Sequence, residues 1–211
     1  MKKIVVLGGS FNPPTKAHKT IMEEAIKSIN ADIGIYLPAD ISYLSHSRKD
    51  VKTNEILPNE ERSKMLLSMH DSNPKIIIED YEFITHHRSH TYESLKYIQS
   101  KYPQDEIYFI TGSDKLNVIS RWHSSDNLLK EFKFLVVARE DDDINEIIEN
   151  NEKLKKYKNQ FFKFSIPDEY LSISSTEVRR AIRKKDYETL KVHLTKSVKE
   201  LYIEFIDKSK N

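Results

Sequence analysis

The sequence contains no cysteine among its 211 residues. This absence excludes a disulfide framework, a thiolate zinc site and a cysteine nucleophile. The chain also lacks any apolar run near the roughly 20 residues that a membrane-spanning helix needs. Lys2 and Lys3 lead directly into a strand-like segment, without a signal-peptide cleavage pattern. These absences predict a cytoplasmic protein with no membrane partner.

Neither charge is in excess, because 34 lysines and arginines stand against 33 aspartates and glutamates, for a net charge of +1. A nucleic-acid-binding domain typically carries a clear excess of positive charge. We therefore expect no nucleic-acid partner. The amphipathic segments are all explained by a single core, so the sequence leaves the oligomeric state unknown.

Short apolar runs alternate along the chain with segments of helical periodicity. The runs are rich in β-branched and aromatic residues, which is typical of buried parallel strands. They lie at residues 4–7, 33–37, 76–78, 107–110, 134–137 and 161–164. Helical stripes occupy 21–29, 65–69 and 198–206. This order predicts an α/β fold with a doubly wound, mostly parallel sheet, in a single domain spanning 1–211 whose C-terminal part, about 175–211, is helical.

Glycine is scarce, with four residues in all, and two of them, Gly8 and Gly9, directly follow the first predicted strand. In open α/β sheets, ligands bind at the carboxyl edge of the strands, and a helix that starts there offers free N–H groups to phosphate. If Thr15 is the N-cap of that helix, His18 is its third residue, and the two side chains lie about one turn apart. The segment therefore predicts a phosphate site.

Two common phosphate-binding motifs are missing from this segment. A P-loop would need a Gly-Lys-Ser/Thr sequence, which is absent. A dinucleotide fingerprint would need further glycines where Asn12 and Pro13 stand. If the segment binds phosphate, it is a turn of another kind. The alternative is an ordinary turn of an α/β fold, in which His18 is a cap or a surface residue.

A second helix start with similar properties follows the last predicted strand. Ser174 or Ser175 can cap a helix and leave hydroxyl and N–H groups open to an anion. Thr176 adds a hydroxyl, and Arg179, about a turn further on, can offer a fork of donors to phosphate oxygens. The alternative is an ordinary capping box.

Together, the two helix starts indicate a reaction type. They are predicted at one sheet edge, and neither segment contains an acid pair or an activated nucleophile. Transfer of a nucleotidyl group from a triphosphate, with pyrophosphate leaving, needs positioned donors and charge stabilisation and little else. We therefore expect a nucleotidyltransferase.

Four stretches resemble one family. "GGSFNPPTKAH" is similar to the glycine-rich start and (H/T)-x-G-H signature of the nucleotidyltransferase superfamily, and "ISSTEVR" to its I-S-S-T-x-x-R motif. "SHTYESL" and "ITGSDKLNVISRW" resemble segments of the bacterial-type nicotinate mononucleotide adenylyltransferases. The resemblance implies a Rossmann-like nucleotidyltransferase fold. It also implies adenylyl transfer from ATP to nicotinate mononucleotide, or to nicotinamide mononucleotide, in NAD biosynthesis.

The resemblance also implies roles for individual residues. His18, Thr15 and Arg179 would be catalytic, with His18 the most important. A Mg²⁺ ion would be bridged by the ATP phosphates, without a metal ligand from the protein. The residues implied in ATP binding are Gly8, Gly9, Ser10, Phe11, Thr15, His18, Gly112, Asp114, Ser174, Ser175, Thr176 and Arg179. Those implied in binding the mononucleotide are Asn12, Thr91, Tyr92 and Trp122.

Simpler roles for three of these residues stay open at this point. Asp114 can cap a short helix. Trp122 can be a packing residue. Tyr92 shares a helical face with apolar residues and can pack only.

Two departures from the signature bear on function. Thr15 takes the place of the first histidine, and Ala17 replaces the signature glycine. One alternative function is adenylyl transfer to another phosphate acceptor such as phosphopantetheine. The other is a non-catalytic nucleotide-binding module, for which Ala17 is the only support.

Three further clusters have weaker interpretations. His86, His87 and His90 could bind a transition metal, although a loop preceding a helix at Thr91 is favoured. The acidic run at 140–143 suits the start of a helix better than a Mg²⁺ site. The loop 39–58 carries three basic residues that could contact phosphate or form a solvated charge cluster, namely Arg48, Lys49 and Lys52.

Overall fold

The computed structural model describes residues 1–40, 55–71, 73–85, 89–138 and 142–208. Its centre is a six-stranded sheet in which every ladder is parallel, with the strand order β3-β2-β1-β4-β5-β6. The strands are β1 (Lys3–Gly9), β2 (Ile33–Pro38), β3 (Ile76–Ile78), β4 (Glu106–Gly112), β5 (Lys133–Val137) and β6 (Phe161–Phe164). All six predicted strands are confirmed.

Helices connect the strands and extend the chain after β6. Up to β4 they are α1 (Lys16–Ile29), α2 (Asn59–Ser68), α3 (Tyr81–Ile84) and α4 (Thr91–Lys101). Between β4 and β6 they are α5 (Ser113–Ile119), α6 (Ser125–Glu131), α7 (Ile144–Glu149) and α8 (Glu152–Lys156). After β6 they are α9 (Ser175–Lys184), α10 (Tyr187–His193) and α11 (Lys196–Lys208). Within the described ranges, no helix has both the length and the apolar character to cross a membrane.

The sheet separates two apolar clusters because successive strand residues point to opposite faces. Val5 and Leu7 face one cluster, which also contains residues of α1, α2, α9 and α11. Ile4 and Val6 face the other, which contains residues of α4, α5, α6 and α7. Burial on both faces explains why the strands are continuous apolar runs rather than alternating ones.

The order of the strands locates the site. From β1 the chain moves outward through β2 and β3, and then returns to place β4 on the other side of β1. Leu7 accordingly pairs with Tyr36 on one side and with Ile110 on the other. A reversal of this kind opens a crevice at the carboxyl ends of the two central strands. The predicted doubly wound, Rossmann-like fold is confirmed.

The structure bears on some of the weaker predictions from the sequence but not on others. Asp143 caps α7 by accepting from the N–H groups of Asn145 and Glu146, which confirms the favoured interpretation of the acidic run at that residue. The helices α9 to α11 occupy the segment predicted to be helical, and the single-domain organisation stays a prediction. The predictions for His86, His87, Arg48, Lys49 and Lys52 fall on residues that lie outside the described ranges.

Candidate active site

Thr15 begins α1 at the carboxyl end of β1, and its extended backbone (φ −128°, ψ 169°) makes it the N-cap, as predicted. Its backbone N–H donates to Nδ1 of His18, 3.0 Å away, and its hydroxyl oxygen lies 2.8 Å from the same nitrogen. Because the backbone N–H can only donate, Nδ1 is an acceptor, and the proton of the neutral imidazole sits on Nε2. The first turn of α1 thus fixes both the position and the tautomer of His18.

The loop between β1 and α1 is closed by Phe11. Its side chain is fully buried, and its ring packs edge-on against the imidazole of His18, with centroids 5.0 Å apart. A Cβ on Gly9 would lie 3.1 Å from the Phe11 ring, so a larger residue there would require the ring to move. The buried side chain of Phe11 supports the histidine. The predicted contact of Phe11 with ATP stays a prediction.

Asn12 uses its carboxamide inside the protein. Its Nδ2 donates to the carbonyl of Glu55 at 3.0 Å, and its Oδ1 accepts from the N–H of Leu57 at 2.8 Å. The residue is 1% exposed. Its side chain therefore ties the site loop to the segment before α2. Both ends of the carboxamide make a bond within the protein, and the predicted contact with the mononucleotide stays a prediction.

Arg62 is a site residue that sequence reasoning missed. It is fully buried, and its Nη1 donates to the carbonyl of Ser10 at 2.8 Å, while Nε donates to the carbonyl of Leu57 at 3.2 Å. Burial lowers the pKa of Arg62 to about 10, so the guanidinium is still charged at neutral pH. The available signal was its place three residues before Met65, on the apolar stripe of α2, where an arginine is unusual.

The start of α9 meets the start of α1. Ser174 caps α9 by accepting from the N–H of Glu177, which confirms one of the two predicted caps. The hydroxyl of Ser175 donates to the carbonyl of Pro13 at 2.8 Å. Two helix N-termini are thus brought together at the carboxyl edge of the sheet, which is the arrangement predicted for binding a phosphate chain.

Arg179 lies beneath this junction. Its Nη1 donates to the carbonyl of Asn12 at 2.7 Å, and its Nη2 donates to the hydroxyl of Thr176 at 3.2 Å. The residue is 2% exposed. Nη1 thus joins α9 to the loop after β1, whereas the bond of Nη2 lies within α9. The predicted contact of the guanidinium with phosphate stays a prediction.

The end of β4 adds a carboxylate. Gly112 is the N-cap of α5, and Asp114 lies in its first turn with a side chain 39% exposed and 3.1 Å from the ammonium of Lys115. The hydroxyl of Ser113 donates to Asp142 at 2.6 Å, which connects this turn to the segment that follows β5. Gly112 and Asp114 therefore stand at the same sheet edge as Thr15.

Trp122 lies on the sheet face opposite α1. It is half-buried, and its ring packs edge-on against Phe109, with centroids 6.4 Å apart. A Cβ on Gly8 would lie 3.3 Å from that same ring, so Phe109 lies next to both Trp122 and Gly8. Stacking of the indole on a pyridine ring stays a prediction.

Thr91 and Tyr92 are the first two residues of α4, and His90 before them is its N-cap. The hydroxyl of Tyr92 donates to Glu131 at 3.0 Å, and its ring packs edge-on against Phe132. This is the packing arrangement left open for Tyr92, and the structure does not bring its hydroxyl to the α1 junction. Contacts of both residues with the mononucleotide stay predictions.

Of the three histidines for which metal binding was the less favoured alternative, the structure describes only His90. The ring of His90 stacks on that of His123 with centroids 4.4 Å apart, and the backbone N–H of His90 donates to the carboxylate of Glu93 at 3.0 Å. Among the residues that the structure describes, no group of three or more histidine, aspartate or glutamate side chains is placed to hold a metal ion.

The sequence is similar to one protein family and to named bacterial proteins. Residues 6–181 match the family model described as cytidylyltransferase-like. A Fusobacterium nucleatum protein named "probable nicotinate-nucleotide adenylyltransferase" is 33% identical over 207 residues, covering 97% of this chain and 100% of that protein. A Staphylococcus epidermidis protein of the same name is 32% identical over 204 residues, covering 96% of this chain and 94% of that protein.

Solved structures agree on the fold. The Plasmodium falciparum nicotinic acid mononucleotide adenylyltransferase complexed with NaAD superposes with a TM-score of 0.76 at 22% identity, covering 97% of this chain and 96% of that one. The same enzyme complexed with APC gives a TM-score of 0.77 at 21% identity, with the same coverage.

The parallel sheet and the two converging helix starts define a nucleotidyltransferase. The chain belongs to the cytidylyltransferase-like family and, within it, to the nicotinate-nucleotide adenylyltransferases. The resemblance stated from the four sequence motifs is confirmed. So, at the level of the family, is the predicted enzyme class, an adenylyltransferase of NAD biosynthesis.

Proposed function

We propose that this chain transfers the adenylyl group of ATP to nicotinate mononucleotide, releasing pyrophosphate and forming the dinucleotide. The observation that carries the proposal is the junction of α1 and α9, where the hydroxyl of Ser175 meets the carbonyl of Pro13 at 2.8 Å. This junction gathers helix N–H groups, hydroxyls and an imidazole at one edge of the sheet. It provides hydrogen-bond donors for a triphosphate.

In the proposed reaction, a phosphate oxygen of the mononucleotide attacks the α-phosphorus of ATP, and the bond to the bridging oxygen breaks as pyrophosphate leaves. No covalent protein intermediate is needed. The protein has to neutralise charge that grows on the bridging and leaving oxygens. His18 supplies the Nε2–H donor for this charge, because Thr15 occupies its Nδ1.

The two ends of the junction have different tasks in this proposal. Thr15 orients His18, and the first turn of α9 holds the β- and γ-phosphates through Ser174, Ser175 and Thr176. Arg179 keeps α9 and the loop after β1 at a fixed separation through its bond to Asn12, and its bond to Thr176 holds the guanidinium against α9. A direct contact of Arg179 with phosphate remains a prediction.

Nucleotidyltransferases generally use a divalent metal ion, and we infer that the ion here is Mg²⁺. The junction offers hydroxyl, imidazole and N–H groups, which suit phosphate oxygens better than they suit a hard cation. This donor set fits a metal that arrives bound to the ATP phosphates. When bound, the metal would neutralise phosphate charge and orient the triphosphate.

The acceptor is proposed from the relatives. The Fusobacterium and Staphylococcus proteins are named for nicotinate nucleotide, and Trp122 provides an aromatic side chain that is partly exposed. We propose nicotinate mononucleotide first and nicotinamide mononucleotide second. The expected cytoplasmic location, and the absence of nucleic-acid and membrane partners, stay predictions.

The decisive experiment measures pyrophosphate release from ATP and Mg²⁺ with nicotinate mononucleotide, nicotinamide mononucleotide and phosphopantetheine in parallel. Release with a pyridine nucleotide supports the proposal, and the ratio of kcat/KM values gives the preference between acid and amide. Release with phosphopantetheine alone would replace the acceptor. ATP binding without any release would indicate a non-catalytic module, for which an Ala17→Gly variant is the next test.

A further inference from the structure

A chain of buried polar contacts runs from the backbone of His18 to the protein surface. The hydroxyl oxygen of Tyr36, on β2, lies 3.1 Å from the carbonyl oxygen of His18 and 2.8 Å from Nε2 of His70. On the other side of the His70 ring, Nδ1 lies 3.3 Å from a carboxylate oxygen of Glu23, on α1. Tyr36 is fully buried, and the side chain of His70 is 2% exposed.

The hydroxyl of Tyr36 has one proton and two neighbours that can accept it. Burial raises the pKa of Tyr36 well above its ordinary value, so the hydroxyl keeps this proton throughout the neutral range. A carbonyl can only accept, so a bond to His18 uses the proton. His70 must then donate from Nε2, or the two lone-pair-bearing atoms would face each other at 2.8 Å.

The protonation state of His70 decides between these arrangements. A neutral His70 is best placed with its proton on Nδ1, toward the carboxylate of Glu23, and its Nε2 then accepts the proton of Tyr36. A charged His70 carries a proton on both nitrogens, so that Nδ1–H faces the carboxylate of Glu23 and Nε2–H donates to Tyr36. The hydroxyl of Tyr36 is then directed to the carbonyl of His18.

We propose that His70 is a positioning residue for His18 and acts through the hydroxyl of Tyr36. When His70 gains a proton, this hydroxyl donates to the carbonyl of His18 and so links the first turn of α1 to β2. The ring contacts make the same connection, because Phe11 packs edge-on against both His18 and Tyr36. The catalytic consequence rests on the proposed role of His18, whereas the hydrogen-bond exchange does not.

The charged groups that face His70 set the pH at which the exchange occurs. Burial lowers the pKa of His70, and the nearby ammonium of Lys19, on α1, lowers it further. Glu23, also on α1, and Asp71, on the segment after α2, raise it. From α11, the hydroxyl of Ser197 donates to the carbonyl of Ser68, two residues before His70, and no charge of α11 is among the groups that shift the His70 pKa. The exchange is therefore expected on the acidic side of neutrality.

The direct test follows the ¹³C resonance of the His18 carbonyl from pH 8 to pH 5 in the full-length protein, together with the imidazole ¹⁵N signals of His70. In the unmodified protein, the carbonyl shift should follow the titration of His70. Tyr36→Phe, which keeps the ring, should remove this inflection. Tyr108→Phe is the matched control, because Tyr108 is on β4 and its hydroxyl donates to Glu106 at 3.2 Å.

A kinetic measurement tests the positioning role. The kcat of the Tyr36→Phe variant should fall about two- to tenfold relative to the unmodified enzyme at pH 6, the range that one hydrogen bond provides, with KM for ATP little changed. At pH 8 the ratio should approach one, and in a His70→Gln background it should no longer depend on pH. Taking ratios cancels the titration of groups common to both proteins.

Two results would overturn the proposal: a His18 carbonyl resonance that responds identically in the unmodified and Tyr36→Phe proteins, or a kcat ratio equal at both pH values. A failure of the proposed catalytic role is distinguishable from either one. It would appear as unchanged kcat in His18→Ala, while the carbonyl resonance still reported the exchange.

Discussion

Nη1 of Arg179 lies 2.7 Å from the carbonyl oxygen of Asn12, a residue 167 positions earlier in the chain. With the bond from Ser175 to Pro13, this contact joins the loop after β1 to the start of α9. A phosphate chain bound by both helix starts requires their separation to be fixed before the substrate arrives. The buried guanidinium therefore acts on the site indirectly, by joining this loop to α9.

Replacing Arg179 by lysine tests this structural role. A lysine has a single ammonium in place of the fork that reaches both Asn12 and Thr176. We expect Arg179→Lys to lower the free energy of unfolding by about 1–3 kcal/mol, the cost of leaving a buried polar group without its partner. Chemical denaturation measures this, and kcat/KM for ATP should fall in parallel.

The matched control is Arg180→Lys, because the Arg180 side chain is 59% exposed and pairs with Glu177 on the surface. This variant should be close to unmodified stability and activity. Unchanged stability in Arg179→Lys, combined with a raised KM for ATP, would contradict the structural role and favour direct contact with phosphate.

His18→Ala tests the proposed charge stabilisation. Removing the Nε2–H donor should lower kcat by about 10²-fold or more, with KM for ATP changing much less, because the donor acts mainly in the transition state. Steady-state pyrophosphate release measures both constants. His193→Ala, at the end of α10, is a suitable control, since Nδ1 of His193 donates within its own helix, to the carbonyl of Thr189 at 3.0 Å. A change confined to KM would mean that His18 binds ATP without stabilising the transition state.

The parts of the site that depend on local spacing could be predicted from the sequence. Thr15 and His18 are three residues apart, so their meeting follows from helix geometry once Thr15 is the N-cap. The orientation of Arg179 could not be predicted in this way. Whether it faces phosphate or the carbonyl of Asn12 depends on how α9 packs against a loop far away in sequence.

The burial of Phe11 could not be predicted from the sequence either, whereas that of Arg62 could. A phenylalanine in a glycine-rich segment gives no local sign that it will be fully buried against a histidine. The four central strands, β1, β2, β4 and β5, by contrast, are buried on both faces, so hydrophobicity alone identifies them. Arg62 could have been found, because it interrupts the apolar stripe of α2 and a buried arginine must find acceptors.

Trp122→Ala separates substrate stacking from packing. If the indole stacks on the pyridine ring, KM for nicotinate mononucleotide should rise at least about fivefold, the lower end of aromatic stacking energies, with KM for ATP little changed. The Trp122 ring also packs edge-on against Phe109 at 6.4 Å, so some loss of stability is expected as well. Trp122→Phe should restore much of both properties. Equal weakening of the two substrates would identify Trp122 as a packing residue.

Glu82, on α3, makes stability depend on pH. Burial raises its pKa from 4.5 to about 7, an effect larger than the opposing hydrogen bond from Ser94. Between these two values the folded protein holds a proton that the unfolded chain releases, so stability decreases as the pH rises through this window. Above about pH 7 the full cost of a buried carboxylate is present.

Glu82→Gln should remove this cost, because the amide is neutral and its oxygen can still accept from the hydroxyl of Ser94, which lies 2.9 Å from the carboxylate now. At pH 8 the variant should be more stable than the unmodified protein by about 1–3 kcal/mol, and near pH 4.5 the difference should vanish. Urea denaturation at both pH values measures it, with Glu188→Gln as control, since the Glu188 side chain is 81% exposed. A variant that is less stable at pH 8 would instead mean that the charge of Arg62 stabilises the Glu82 carboxylate by more than its burial costs.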